Sequence, residues 1–511
     1  MKSLKKDNST SNLFLSGLIF FVSLWQYVGL GKANFRISQS IDQQIMLITA
    51  AKMHYFGYNS YDAAWNHHSP ILFYITKISF LISDFKNSTY GLYVVYSIFL
   101  ILLSVFLFIA IKELINNNLL SFICSLAFVF DLSSSTIGGK VIFDNRTIGM
   151  ILQLLILINS LKFLTTKKYI FLYLSIIFST FQIFNLESYS ISVFFIYIYL
   201  LFKVLNKKKF LINTALFGFI SALLFFGIMF LNFELFHFFD LNILFHLQSI
   251  GIGNKFVNIS LLEILQNLFI GGDNPYLNII FSSFMLFIIF ISLVFSYFWK
   301  NFTVENELLV IFLIGEFFHL LLTGPRFTSY SQIILIPMYI LFILSLHQLI
   351  YKNIENKKII SLFLACILLI IFLPFQYEDV VYFRTSIFDG TIENINISHK
   401  NNILEPNLVL SWISIDKYNK VFFEANSLPS TRLWWWHQMK YIDEFYDKNY
   451  KMFDYELLEA VFLEDVILEN PKFAVIDTSI MNPPIYFLDY INEHYQYSRL
   501  DGDLIYYQLK N

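Results

Sequence analysis

Charge is what this chain has least of. Only 14% of its 511 residues are Asp, Glu, Lys or Arg, where a soluble domain carries about 25%. With 57% hydrophobic residues and a mean hydropathy of +0.60, a water-soluble fold is excluded. The net charge of -2 offers nothing to a nucleic-acid partner. Cysteine is almost missing, and Cys124 and Cys366 both fall inside apolar runs, which argues against a disulfide framework or a cysteine-bound metal. Internal repeats and low-complexity linkers are absent. So is a small-residue cleavage signal near the amino terminus, where Lys2, Lys5 and Lys6 precede a long apolar segment; that segment reads as a first span. Arginine is scarce beside lysine while Phe reaches 60, a bias of AT-rich coding that says nothing of mechanism.

What the chain does have is long apolar runs. A bilayer-crossing helix needs roughly 20 mostly apolar residues. Runs of that kind lie near Leu13–Leu30, Gly91–Ile111, Leu119–Ser135, Thr147–Phe163, Tyr169–Phe184 and Ser188–Phe202. Others follow near Phe210–Leu231, Tyr276–Trp299, Leu308–Leu322, Ser331–Ile350 and Ile359–Phe375. The fold class expected is α: a polytopic membrane protein of about 11 transmembrane helices. The amino terminus, Lys112, Lys162–Lys168, Lys203–Lys209, Lys300 and Lys352–Lys358 share one side of that count. By the positive-inside rule this side is cytoplasmic. The loops Ser38–Pro70, Asp131–Arg146, Asn232–Pro275 and Gly324–Tyr330 then face outward, as does the carboxyl end.

In the first outer loop, Ser40 and Gln43 have capping-box spacing. Ile41, Ile45, Ile48, Ala51 and Tyr55 follow as one apolar stripe, the pattern of an amphipathic helix lying in the membrane interface. The loop Asn232–Pro275 carries similar half-apolar runs. After Phe375 the long apolar runs stop. Residues 1–375 are therefore expected to form the transmembrane domain, and 376–511 a small extracytoplasmic α/β domain. Within the latter, Lys420–Glu424 and Phe473–Asp477 read as strands, and Tyr455–Leu468 as a helix capped by Asp454. Asp501-Gly502 between Tyr495–Leu500 and Asp503–Leu509 signals a hairpin.

Polar groups gather in the outer loops. Asp42 has two readings: a helix-dipole partner worth about 0.3–1 kcal/mol, or a general base or ligand at the membrane surface. Asp144, in Phe143-Asp144-Asn145-Arg146, is either an N-cap or a second functional carboxylate. Asp131 and Glu187 read better as caps. Asp62 and the pair His67 and His68 stand in one short stretch. Adjacent histidines point about 100° apart on a helix, so they do not make the i, i+4 zinc pair, and no metal ligand set is identifiable. One of them suits phosphate contact. Arg326 offers a planar, permanently charged guanidinium where a span emerges. Arg432 precedes Trp434-Trp435-Trp436; its two readings are contact with substrate and contact with the membrane surface, and an aromatic interface anchor is the plainer one.

In their order these residues resemble a family. The chain is similar to the polytopic glycosyltransferases of the GT-C class, in particular the bacterial group related to lipid A aminoarabinose transferase and protein O-mannosyltransferases. The resemblance is carried by Asp42 after the first span, by Tyr61-Asp62-Ala63-Ala64-Trp65-Asn66-His67-His68-Ser69-Pro70-Ile71-Leu72, by Asp144, and by Gly324–Pro337. It covers about the first two-thirds of the chain. It implies sugar transfer from a polyprenyl-phosphate donor to a lipid, glycan or protein acceptor on the outer face of a bacterial inner membrane, with inversion. Asp42 and Asp144 would be catalytic; Asp62, His67, His68, Arg326 and Tyr330 would bind substrate. No cofactor is assigned, and a divalent metal stays open. The chain departs from the family pattern at Gln43, at His68-Ser69 and at Ser329-Tyr330. A lipid-linked glycan transporter and a catalytically silent scaffold are the alternative readings, the first disfavoured by the scarcity of charge, Gly and Pro inside the spans.

Overall fold

The computed structural model describes residues 15–21, 41–64, 70–83, 88–134, 145–185, 190–232, 235, 238, 303–323, 332–351, 406–413, 421–422, 425–433, 455–479 and 483–510. In chain order, α1 is Ile41–Tyr55, α2 Ser60–Ala63 and α3 Pro70–Lys77, which runs on into a 3-10 turn at Ile78–Leu81. Then come α4 (Ser88–Ile115), α5 (Asn118–Ser134), α6 (Asn145–Thr166) and α7 (Tyr169–Asn185). They are followed by α8 (Ser190–Lys203), α9 (Lys207–Leu231), α10 (Val304–Thr323) and α11 (Gln332–Tyr351). The tail adds β1 (Asn407–Trp412), β2 (Ser427–Pro429), α12 (Tyr455–Glu469), β3 (Phe473–Asp477), α13 (Ile485–His494), β4 (Tyr495–Asp501) and β5 (Leu504–Leu509).

Two compact units divide the chain, each discontinuous. The first holds Met1–Ile37, Tyr96–Ile228 and Gln248–Ile395; the second holds Ser38–Val95, Met229–Leu247 and Asn396–Asn511.

The first unit is helical because its sequence leaves no other choice. In a bilayer each backbone N–H and C=O must be satisfied within the segment, which a helix does. Three described helices are long and apolar enough to cross: Ile98–Ile115, Ile148–Thr166 and Lys207–Leu231. Tyr169–Asn185, Ser190–Lys203 and Ile336–Ser345 are shorter apolar helices. Eight of the expected runs coincide with α4 to α11; the first, Leu13–Leu30, is described only at residues 15–21, which are helical, and those near Tyr276–Trp299 and Ile359–Phe375 lie outside the described residues. Helix α9 exposes Leu216, Phe219, Leu223, Leu224 and Phe230, an apolar surface suited to lipid. Polar ties join the packed helices. The Tyr339 hydroxyl donates to the Cys124 carbonyl at 2.6 Å, and Asn306 and Gln348 exchange two amide bonds of 2.9 Å.

In the second unit a five-stranded sheet has the order β2-β1-β3-β5-β4. Strands β2, β1 and β3 are parallel, while β5 and β4 are antiparallel additions. The β4–β5 hairpin closes through Gly502-Asp503, with Gly502 at φ +63°, the left-handed conformation that glycine adopts without a Cβ penalty. Trp412, Phe462 and Phe487 form an aromatic core, with ring centroids 5.9 Å (Trp412–Phe487) and 5.4 Å (Phe462–Phe487) apart. Strand β3, helix α12 and the hairpin agree with the sequence reading. Strands β1 and β2 and helix α13 are additions to it; of Lys420–Glu424, expected as a strand, only Val421 and Phe422 are described, and they are helical instead.

One expectation is corrected here. Helix α1 starts where the capping pattern puts it, but it is not amphipathic. Every residue from Ile45 to Met53 is buried, on all sides of the helix. It packs on α3 and α2, and its last turns meet β2. An apolar stripe read from spacing alone counts only hydrophobic positions; Thr49 and Lys52 are buried as well.

Candidate functional site

Helix α1 carries Asp42 as its second residue. The first turn of a helix presents backbone N–H groups without intrahelical acceptors. In the last turn stands Lys52, which is 1% exposed. Its ammonium points at the carbonyls of Ser430 (3.5 Å) and Thr431 (3.4 Å), just beyond β2, and lies 5.3 Å from the centroid of the Tyr58 ring. Burial pushes the Lys52 amine down to about 8, against the pull of Asp465 and Glu469. A charge taken out of water without a tight partner favours its neutral form.

Next along the chain is a turn built on Asn59. Its Oδ1 accepts from the backbone N–H groups of Tyr61 (3.0 Å) and Asp62 (2.8 Å), capping α2, and its Nδ2 donates to Asp62 Oδ2. Asp62 Oδ1 faces Arg432 Nη1 at 3.8 Å. The principal partner of Arg432 is Asp465. Arg432 Nε and Nη2 reach Asp465 Oδ1 at 2.8 and 2.7 Å, and the Arg432 backbone N–H donates to Asp465 Oδ2 at 2.6 Å. Glu464 adds a 2.8 Å contact to Nη2. The Arg432 side chain is 15% exposed and that of Asp465 8%. Burial opposes the guanidinium charge, yet the Asp465 bond and charge raise its pKa above the ordinary value. Arg432 is thus held by carboxylates, while Trp434–Trp436 of the expected aromatic anchor lie outside the described residues.

Sequence reasoning passed over Lys52, although a charge on the stripe of Ile45 and Ile48 was a visible signal. It also passed over Glu316, set in the apolar run of α10 and fully buried in the first unit. Glu316 Oε1 accepts from Gln153 Nε2 of α6 at 2.5 Å. Other polar ties of the first unit are Ser160–Ser175 at 3.1 Å and the Tyr197 hydroxyl with Ser175 and Ser179 at 3.2 Å each. An ionisable side chain is therefore buried in a mostly apolar helix.

Of the residues expected at the site, Asp42 stands at the start of α1 and Asp62 pairs with Asn59 and Arg432. Asp144, His67, His68, Arg326 and Tyr330 lie outside the described residues, as does Glu187. Asp131 falls in the last turn of α5. Among the described residues no three His, Cys, Asp or Glu side chains gather as a metal ion would need.

No family model and no curated protein matches the chain. Solved structures do. The Archaeoglobus fulgidus oligosaccharyltransferase in its apo form is 13% identical over 92% of this chain and 70% of its own, with a TM-score of 0.50. The same enzyme in complex with zinc and sulfate is 12% identical, over 90% and 68%, with a TM-score of 0.49. With a tethered acceptor peptide containing the NVT sequon, it is 12% identical over 97% and 74%, at 0.47. At such identities the apo structure shows a shared fold: that of an oligosaccharyltransferase, spread over nearly the whole chain.

Proposed function

We propose that this chain is a membrane glycosyltransferase of the GT-C class, moving a sugar from a polyprenyl-phosphate donor to a lipid, glycan or protein acceptor at the outer face. The observation that carries the reading is the fold shared with the apo oligosaccharyltransferase across 92% of the chain. In the proposed reaction the acceptor hydroxyl oxygen bonds to the anomeric carbon as the bond from that carbon to the phosphate oxygen breaks. The hydroxyl proton passes to Asp42, and polyprenyl phosphate leaves with the bonding electron pair. A single displacement inverts the anomeric centre. The role of base is assigned to Asp42, the second residue of α1. Arg326, with His67, His68 and Tyr330, is assigned to the phosphate, where fixed cations stabilise the growing charge. Asp144 is assigned as a second catalytic acid. Asp62 is assigned to substrate contact through the carboxylate edge that Asn59 and Arg432 leave open. No step is routed through a metal. The orientation proposed has a cytoplasmic amino terminus and an extracytoplasmic tail, in a bacterial inner membrane.

Asp42→Asn is expected to lower transfer of a labelled sugar from undecaprenyl phosphate by roughly 100- to 10,000-fold, the range for loss of a general base. Full activity in that variant overturns the reading. Buried Glu316 with Gln153 supports a second reading, a carrier of lipid-linked glycan, since ionisable groups inside spans mark transport paths. Movement of the lipid-linked sugar across vesicles without a new glycosidic bond would select it.

A further inference from the structure

Helix α1 has two ends with different tasks. Its amino-terminal turn carries Asp42, and its last turn carries Lys52, ten residues on. At 1.5 Å per residue the two are about 15 Å apart along one axis. A helix buried on all sides from Ile45 to Met53 moves as a rod, so a shift at one end is passed to the other. What holds the Lys52 end is unusual: a buried ammonium directed at two backbone carbonyls, over an aromatic ring. An isolated buried charge is costly, and an apolar side chain of the same length would fill the space without that cost. The groups facing Lys52 from the packed elements are Asp465 and Glu469 of α12, Asp62 of α2, and Arg432 after β2. Arg432 is itself taken up by Asp465 and Glu464. The acids therefore leave a net attraction toward Lys52, which ties α1 to the segment Ser430–Arg432.

We propose that Lys52 is a positioning residue: its charged tie to the Ser430 and Thr431 carbonyls and to the acids of α12 sets where α1 presents Asp42. This deepens the glycosyltransferase reading and rests on it. Lys52 is buried. It acts on turnover through the placement of Asp42, because misplacing a catalytic group by about 1 Å costs up to 100-fold in rate.

The test uses the full-length protein in liposomes with those labelled undecaprenyl-phosphate sugars on which the wild type is active. Lys52→Met is expected to lower kcat about tenfold or more, with KM for the donor within twofold. The pH profile is the readout that a merely structural role would not move. Charge-assisted bonds are about twice as strong as neutral ones, so wild-type kcat should fall as pH rises through about 8, the pKa to which burial brings Lys52. Stability should move the other way. The unfolded chain keeps its lysine proton to 10.5 while the folded one sheds it near 8. Between those values the unfolded state binds more protons, so stability rises with pH. The alkaline loss of rate is then not unfolding, and it should be gone in Lys52→Met. If that variant does not fold, the wild-type profile decides: an alkaline limb in kcat with constant KM supports the proposal, and a flat profile overturns it. Wild-type kcat in a folded Lys52→Met protein, or a change confined to KM, also overturns it. Failure of the underlying reading looks different, as full activity in Asp42→Asn or a wild type that transfers no sugar.

Discussion

Arg432 meets the Asp465 carboxylate three times, through two hydrogen bonds and an Nη2–Oδ1 ion pair. Glu464 adds a further bond and is well exposed, so it contributes little on its own. Asp465→Ala would leave a half-buried guanidinium without its main partner, and breaking a buried pair by removing one member costs about 3 kcal/mol or more. The expected outcome is a lower midpoint for urea unfolding of the tail, with Glu464→Ala nearly neutral; equal effects would mean that burial of Asp465 does not matter. Both Arg432 and Asp62 were conspicuous as polar residues in the sequence. Their pairing was not legible, because nothing local ties residues so far apart in number. Lys52 was hidden for a related reason: spacing places it on a buried face, but the carbonyls that receive it belong to the other end of the chain.

At the scale of elements, eight of the hydrophobic runs form helices, and three described helices are long and apolar enough to cross a bilayer. Helices α4 to α11 follow from length and composition alone. Strand β3 and the β4–β5 hairpin were also legible, the latter through Asp501-Gly502. Strand β2 was not, since three residues hold too little pattern, and β1 borrows its strand character from β3 and β2 on either side. Helix packing makes its own demand at Gly315 of α10. A Cβ there would come within 2.8 Å of Ser192 Cα and 3.4 Å of Phe195 Cβ on α8. Small residues let membrane helices approach in this way. Gly315→Ala is expected to cost about 1–3 kcal/mol through overpacking, read as a lower melting midpoint in detergent. Gly227→Ala on α9, where nothing lies within 4 Å, is the control and should be neutral or stabilising.

For the whole molecule, topology is the property most open to a direct test. The lysine distribution expects an extracytoplasmic tail. A reporter enzyme inserted after Lys400 should be active only outside the cytoplasm; cytoplasmic activity would invert the assignment of every loop, including the one that holds Asp42. The composition of the unit built from Ser38–Val95, Met229–Leu247 and Asn396–Asn511 has a further consequence. Translation proceeds at roughly 5–20 residues per second, so helix α1 leaves the ribosome many seconds before the strand and helix that enclose Lys52 exist. In the meantime it must wait, either shielded by the translocation machinery or by the lipid surface. A chain cut short before β2 would keep that helix packed on α2 and α3 but leave the Lys52 end without the carbonyls that receive it. Biogenesis of this protein is then a rendezvous between its beginning and its end.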